Sequence, residues 1–107
     1  MPYYMHQWKY KDELIKKMTK DPEDRSQIIR VAAGAFDGKL HNFYLCFGEF
    51  DGMAITSFPN NESAYACLLM VFGEGNLAAI QTTVLFTMAE GLQAMKEAKK
   101  VREVRRS

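Results

Sequence analysis

Alternating apolar and polar residues predict strands in four parts of the chain. Residues 3–10 (YYMHQWKY) are rich in aromatic side chains, and the alternation places Tyr4, His6, Trp8 and Tyr10 on one face. Because neither face of this segment is simply polar, we expect both of its faces to be covered. Segments with a similar composition, which we predict to be the other three strands, are residues 39–47, 50–58 and 77–86.

Apolar residues at helical spacing separate these strands. They predict a first helix over residues 11–20. The sequence DPED then predicts a second helix, with Asp21 as its N-cap and Pro22 at the first helical position, running to about Ala35. Its apolar residues recur at three- and four-residue spacing from Ile29, which is typical of a helix packed on a core.

Two further helices are predicted in the second half of the chain. Residues 64–72 (AYACLLMVF) contain no charged side chain, so this helix is apolar around its circumference. In a chain this short, we expect another subunit to cover its second side. The sequence Thr87-Met88-Ala89-Glu90 matches a capping box and predicts a last helix that runs toward Arg106.

The stretch CFGEFDG at residues 46–52 connects the second and third predicted strands. Only Gly48 and Glu49 separate them, and a two-residue loop that begins with glycine favours a type II′ hairpin. Glu49 would then be exposed at the tip, with Asp51 just inside the third strand. Gly52, inside a strand, indicates a bulge or a close approach of another group to the backbone.

The order of elements, βαββαβ followed by a helix, predicts a ferredoxin-like α+β fold with a four-stranded antiparallel sheet. Right-handed crossovers place the strands in the order 4-1-3-2, with helices on one face only. The other face still carries large apolar side chains, so we expect two sheets to pair face to face in a dimeric α/β barrel. We therefore expect a single domain over residues 1–107 that forms at least a homodimer.

Composition and charge narrow the range of partners. Hydrophobic residues make up 48% of the chain, and 14 basic residues nearly balance 13 acidic ones. A net charge of +1 gives no general attraction to nucleic acid or to an anionic membrane. With no signal-like N-terminus and no apolar run of membrane-spanning length, we expect a cytoplasmic protein. The two cysteines lack CxxC spacing and are expected to be buried free thiols.

Over nearly its whole length the sequence resembles the GYD domain family. The markers are PYYMHQW at the start, DPEDR at residues 21–25, GKLHNFYLCFGEFDG at residues 38–52 and IQTTVLFTMAEG at residues 80–91. The family's Gly-Glu-Tyr-Asp run stands here as Gly-Glu-Phe-Asp at residues 48–51, so its tyrosine hydroxyl is absent. The resemblance implies the dimeric α/β-barrel superfamily, which includes small cofactor-independent monooxygenases, isomerases, haem enzymes and ligand-sensing domains.

Two classes of function stay open at this point. In the first, the protein is a binding or assembly module, and a homodimer or larger ring encloses a small apolar or aromatic ligand between sheet and helices. Neither this class of function nor the second, described next, requires a cofactor. The candidate ligand-binding residues are Tyr4, Trp8, Phe43, Gln81 and Thr83. The aromatic members fit a core or a dimer interface better than a pocket, and the polar groups of the fourth strand, Thr82 included, could instead hydrogen-bond across strands.

In the second class, the protein is a cofactor-independent monooxygenase or isomerase acting on a small aromatic or polyketide-like substrate. The candidate catalytic residues are His6, His41, Tyr44 and Asp51. For Asp51, hydrogen bonding to backbone near the hairpin is the competing structural hypothesis. His6 and His41 lie about two strand spacings apart, roughly 9–10 Å, with no evident third ligand, so no metal site is predicted.

Overall fold

The computed structural model describes residues 1–106, and Ser107, the last residue of the predicted domain, lies outside them. These residues form one antiparallel sheet and four helices. The elements, in chain order, are β1 (Tyr3–Tyr10), α1 (Asp12–Lys20), α2 (Ser26–Gly34), β2 (Lys39–Leu45), β3 (Gly52–Ser57), α3 (Asn61–Gly73), β4 (Leu77–Leu85) and α4 (Met88–Arg106).

The strands lie in the order β2-β3-β1-β4, and every neighbouring pair is antiparallel. This is the predicted order, so the ferredoxin-like α+β fold is confirmed. Within one chain the sheet is open, with β2 and β4 as its edges, and it does not close into a barrel.

The core lies between the sheet and α1, α2 and α3. The face of β1 predicted to be shared by Tyr4, His6, Trp8 and Tyr10 is confirmed, and the structure shows that it is the buried one. Around it pack small helical residues and a few large side chains. The buried apolar residues other than those of β1 are Leu14, Ala32, Ala33, Leu40, Ala54, Phe58, Ala64, Cys67 and Leu77. Within residues 1–106, no element covers the opposite face of the sheet, and Tyr3 is exposed there.

The start of α2 differs from the prediction. The helix begins at Ser26, and Asp24 organises its first turn by accepting hydrogen bonds from the Ser26 backbone N–H at 2.9 Å and the Ser26 hydroxyl at 2.6 Å. The predicted N-cap, Asp21, instead ends α1, where its N–H donates to the carbonyl of Lys17 at 2.8 Å. A Pro22 one residue after Asp21 fits the end of a helix as well as the start of one, and here it follows an end.

The connection between β2 and β3 also differs from the prediction. The strands end at Leu45 and restart at Gly52, so the two-residue hairpin is wrong and the loop spans residues 46–51. Gly48 has a φ of 144°, which only glycine adopts easily. The loop also exposes Cys46, contrary to expectation, whereas Cys67 is buried; burial raises the pKa of the Cys67 thiol to about 11.

The last two helices leave apolar surface uncovered. The outer stripe of α3, Tyr65, Leu69 and Phe72, is exposed. The capping box is confirmed, since Thr87 N–H donates to Glu90 at 2.8 Å and Glu90 N–H donates to the Thr87 hydroxyl at 3.1 Å. The helix that follows, α4, buries none of its own side chains within the chain. Among residues 1–106, no helix combines the length and apolar character that crossing a membrane requires.

Candidate ligand-binding cavity

A cavity of about 470 Å³ lies between the helix-covered face of the sheet and α2 and α3. Most of the residues that line it are apolar. Alanines on three different elements face it, namely Ala32 and Ala33 on α2, Ala54 on β3 and Ala64 on α3. Because a methyl group fills little of the space between a sheet and a helix, these facing alanines leave room that larger side chains would occupy.

His6 forms the polar part of the cavity floor. Its Nε2 is hydrogen-bonded with the hydroxyl of Thr56 at 2.7 Å, and its Nδ1 with the hydroxyl of Thr82 at 2.8 Å. Thr82 is the direct cross-strand partner of His6 on β4, whereas Thr56 on β3 lies opposite Tyr4 and reaches His6 diagonally. His6 and Thr56 are buried and line the cavity, while Thr82 stands behind the ring on the edge strand and is half-buried.

Burial sets the charge of this histidine. Removal from water lowers the pKa of His6 to about 4. The ring is therefore neutral at pH 7, with one N–H that donates and one nitrogen that accepts. The two threonine hydroxyls can satisfy either arrangement, because a hydroxyl both donates and accepts.

Trp8 forms another part of the wall, and it is the single tryptophan of the chain. It is 4% exposed and lies directly across from Gly52 on β3. A Cβ at Gly52 would overlap the Trp8 ring, so this ring is the group whose close approach the glycine permits. The predicted close approach at Gly52 is thus confirmed, and Trp8 is a built-in reporter of the cavity.

A cation lies at another part of the lining. Arg25 donates from Nη1 to the carboxylate of Glu23 at 3.0 Å, and its guanidinium lies 5.8 Å from the centre of the Tyr10 ring. Arg25 and Tyr10 both line the cavity. The charge of Arg25 is therefore already paired with a carboxylate and packed on an aromatic ring.

The cavity brings together only some of the residues that the sequence suggested. His6 and Trp8 line it. Tyr4 packs beside it, with its hydroxyl donating to the Asn61 side chain at 2.6 Å, and Phe43 packs on Trp8 with ring centres 5.4 Å apart. These two aromatics therefore support the wall of the cavity instead of lining it.

The other suggested residues on the strands face away from the cavity. His41 bonds through Nε2 with the Ser57 hydroxyl at 2.8 Å and meets the Tyr3 ring edge-on at 5.1 Å. Three more residues occupy positions that alternate with inward-facing neighbours, so they point to the same open face. They are Tyr44, Gln81 and Thr83. The structure thus separates His41 and Tyr44 from His6 by the thickness of the sheet.

Asp51 takes part in backbone hydrogen bonding. Its carboxylate accepts from the N–H of Tyr10 at 2.9 Å, and its own N–H donates to the carbonyl of Trp8 at 2.8 Å. These bonds tie the loop to the end of β1, which is the structural role weighed for Asp51 in the sequence. Within residues 1–106, no three His, Cys, Asp or Glu side chains are grouped so that they could hold a metal ion.

Sequence reasoning missed Arg25 and Thr56, two of the polar residues that line the cavity. It considered Thr82 among the polar groups of the fourth strand, but not as a partner of His6. The position of His6 among the aromatic residues of one strand face was a signal, because an imidazole buried there needs hydrogen-bonding partners. Which residues supply them depends on the register between β1, β3 and β4, and the sequence pattern fixes strand order but not register.

Comparison with known proteins places the chain by family and by fold. The family model described as the GYD domain matches residues 4–95. The crystal structure of MtbAldR is similar, with a TM-score of 0.63 and 14% sequence identity over 80% of this chain and 53% of that one. This chain therefore spans about half the length of MtbAldR. The crystal structure of FFRP-DM1 has a TM-score of 0.49 and 11% identity, over 80% of this chain and 100% of that one.

The similarity to MtbAldR concerns the fold alone, because the sequence identity is low. No curated protein matches the sequence. The family match is of a different kind, since it extends from β1 to the middle of α4 and includes every strand and the cavity. The chain belongs to the GYD domain family.

Proposed function

We propose that this protein is a small-molecule-binding module that works as a homodimer or larger ring and takes an apolar or aromatic ligand into the cavity between sheet and helices. The observation that carries the proposal is the apolar cavity of about 470 Å³ with His6 and Thr56 on its floor. Ligand sites commonly have volumes of roughly 300–1,000 Å³, apolar walls and a few placed polar groups.

The open face of the sheet supports the assembly part of the proposal. Tyr3 and Tyr44 are 39% and 60% exposed there, and Met5, Met53 and Ile55 on the same face are half-buried. These five side chains form an apolar patch on a face that also carries Gln81 and Thr83, and large exposed apolar patches on a monomer are commonly interaction sites. A second copy offers a matching apolar face related by a two-fold axis, as expected of an isologous dimer.

Binding accounts for the site better than catalysis does. Both ring nitrogens of His6 are engaged by threonines, and a base whose pKa is about 4 has little driving force to take a proton at neutral pH. The remaining candidate catalytic residues do not converge on the cavity. Monooxygenase or isomerase chemistry on a small aromatic or polyketide-like substrate therefore ranks second.

The first experiment is native mass spectrometry of freshly purified protein, which reports the mass of the assembly and any small molecule that stays bound. The second is a titration with indane, a rigid apolar bicyclic hydrocarbon, in which the fluorescence of Trp8 is monitored. We expect a saturable change in Trp8 emission for the wild type, because the ring lines the cavity.

Two matched variants, one on α2 and one directly after its last residue, locate the binding. Ala32→Leu fills the cavity and should abolish the response, whereas Ala35→Leu, at an exposed position of the same helix end, should leave it unchanged. No saturable response in the wild type, or an equal response in Ala32→Leu, would contradict the proposal.

A further inference from the structure

We propose that the ligand carries one uncharged hydrogen-bonding group, and that Thr82, His6 and Thr56 form a relay that lets Thr56 either donate to that group or accept from it. The proposal rests on the binding function proposed above and specifies which polar group the cavity recognises. It assigns Thr56 to contact with the ligand, and His6 and Thr82 to setting the direction of the Thr56 hydroxyl.

The geometry of the relay is a continuous line of hydrogen bonds across three strands. Thr82 on the edge strand is hydrogen-bonded with Nδ1 of His6 at 2.8 Å, and Nε2 of His6 is hydrogen-bonded with Thr56 at 2.7 Å. Thr56 is 2% exposed and lines the cavity. The line therefore begins at a half-buried hydroxyl on the sheet edge and ends at the hydroxyl of a residue that lines the cavity.

A neutral imidazole in this line has two arrangements. When Nε2 carries the proton, it donates to Thr56, and the Thr56 O–H is free to donate to an acceptor such as a carbonyl. When Nδ1 carries the proton, Thr56 donates to Nε2, and its lone pairs are free to accept from a donor. The tautomer of His6 thus decides which kind of ligand group Thr56 can bond.

The two tautomers of His6 are expected to have similar free energies in this site. Both ring nitrogens face a threonine hydroxyl at nearly the same distance, so neither tautomer loses a partner when the proton changes place. The outer hydroxyl, Thr82, is half-buried on an edge strand and can reverse its own direction toward solvent. A ligand that needs one arrangement can therefore select it without leaving a buried group unpaired.

The surroundings favour an uncharged ligand group. Within residues 1–106, no charged side chain is hydrogen-bonded to His6, Thr56 or Thr82. Arg25 packs on Tyr10, four residues along β1 from His6, and its charge is paired with Glu23. A carboxylate beside Thr56 would lose its hydration in an apolar site without gaining a counter-charge.

A matched set of bicyclic probes tests this proposal. Indane has no hydrogen-bonding group, 1-indanone only accepts, indole only donates, and indane-2-carboxylate is charged. The protein is labelled with ¹⁵N in histidine and tryptophan, so that NMR reads occupancy from the Trp8 indole N–H and the tautomer from the His6 ring nitrogens. The chain has two histidines, and a His41→Gln variant identifies the signals of His6.

We expect 1-indanone to place the ring proton of His6 on Nε2 and indole to place it on Nδ1. Indane should leave the His6 tautomer as it is in the free protein. Thr56→Val should weaken 1-indanone and indole about five-fold each and leave indane unchanged, as expected for one lost hydrogen bond of ordinary strength. Thr82→Val removes the partner of Nδ1, so it should fix the proton on Nε2 and weaken indole alone. Thr19→Val, at an exposed position of α1, is the matched control for all probes.

The outcomes separate the two proposals. If indane binds but the His6 tautomer is the same with 1-indanone and with indole, the relay is refuted and the binding function stands. The relay is also refuted, and the binding function stands, if Thr56→Val weakens the binding of all probes equally. Thr56→Ser keeps a hydroxyl, so it should bind 1-indanone and indole as the wild type does if the missing hydroxyl causes the loss in Thr56→Val. If indane-2-carboxylate binds best, the uncharged ligand class is refuted. If no probe perturbs Trp8, the binding function fails and the relay fails with it.

Discussion

His6 links the protonation of one buried ring to the stability of the whole fold. Its pKa is lowered from 6.5 to about 4 because the ring is removed from water between two threonine hydroxyls. In the unfolded chain the same ring takes up a proton near pH 6.5. Between these two pH values the unfolded state binds more protons than the folded state, so acid favours unfolding.

The expected result is a loss of stability as the pH falls from 7 to 5. For a pKa of 6.5 in the unfolded chain and about 4 in the folded one, the loss attributable to His6 is about 2 kcal/mol. Denaturant unfolding at the two pH values measures it, at one fixed protein concentration because assembly also contributes. His6→Gln should lose about 2 kcal/mol less than the wild type over the same range. Equal losses in the two proteins would mean that His6 is not buried in its neutral form.

At the scale of the elements, local signals predicted much of the structure. The alternation in β1 identified which residues share a face, and the capping box identified the start of α4, since both depend on residues close together in sequence. The connection between β2 and β3 was predicted wrongly because its conformation depends on residues far apart in sequence. Its conformation depends on Asp51 bonding to the backbone of Trp8 and Tyr10, more than 40 residues away.

This loop gives a prediction about Asp51. Asp51→Ala leaves the N–H of Tyr10 without its acceptor in a half-buried place, and it should lower the free energy of unfolding by about 1–3 kcal/mol. Asp51→Asn keeps a side-chain oxygen that can accept the same bond, so its effect should be well under half as large. Thermal or denaturant unfolding of the three proteins checks this order.

The contrary result for Asp51 is also informative. If Asp51→Asn and Asp51→Ala were both as stable as the wild type, the bond to Tyr10 would not anchor the loop. The hypothesis that the Asp51 carboxylate acts on a ligand would then be favoured. Glu49, exposed in the same loop, provides the control, because Glu49→Ala removes a carboxylate whose side chain makes no bond to β1.

At the scale of the whole molecule, the candidate site is assembled from residues far apart in sequence. His6, Thr56 and Thr82 come from three strands, and the predicted strand order correctly makes those strands neighbours. The site itself also requires the register, which sets Thr82 directly opposite His6 and Thr56 on the diagonal. The sequence therefore predicted the strand order on which the site is built and identified His6 as a candidate, but it did not predict which hydroxyls bond to His6.

The uncovered face of the sheet is the other property of the whole molecule, and it leads to a prediction about assembly. Ile55 lies near the centre of that face, opposite Met5 on β1 and Asn42 on β2. In a face-to-face dimer, Ile55→Lys buries a charge from each copy in an apolar contact, which costs several kcal/mol. Sedimentation velocity should show a wild-type dimer and an Ile55→Lys monomer with an unchanged far-UV circular dichroism spectrum.

The matched control is Ile15→Lys, the same substitution at an exposed position of α1, on the far side of the molecule from the open face. It should sediment as the wild type does, because no sheet contact includes it. A wild-type protein that stays monomeric at high concentration would refute the dimer. Dissociation by Ile15→Lys but not by Ile55→Lys would show that copies pair through their helices. The cavity lies on that helical side, so such pairing would place the second copy near its walls and the open sheet face would need a different cover.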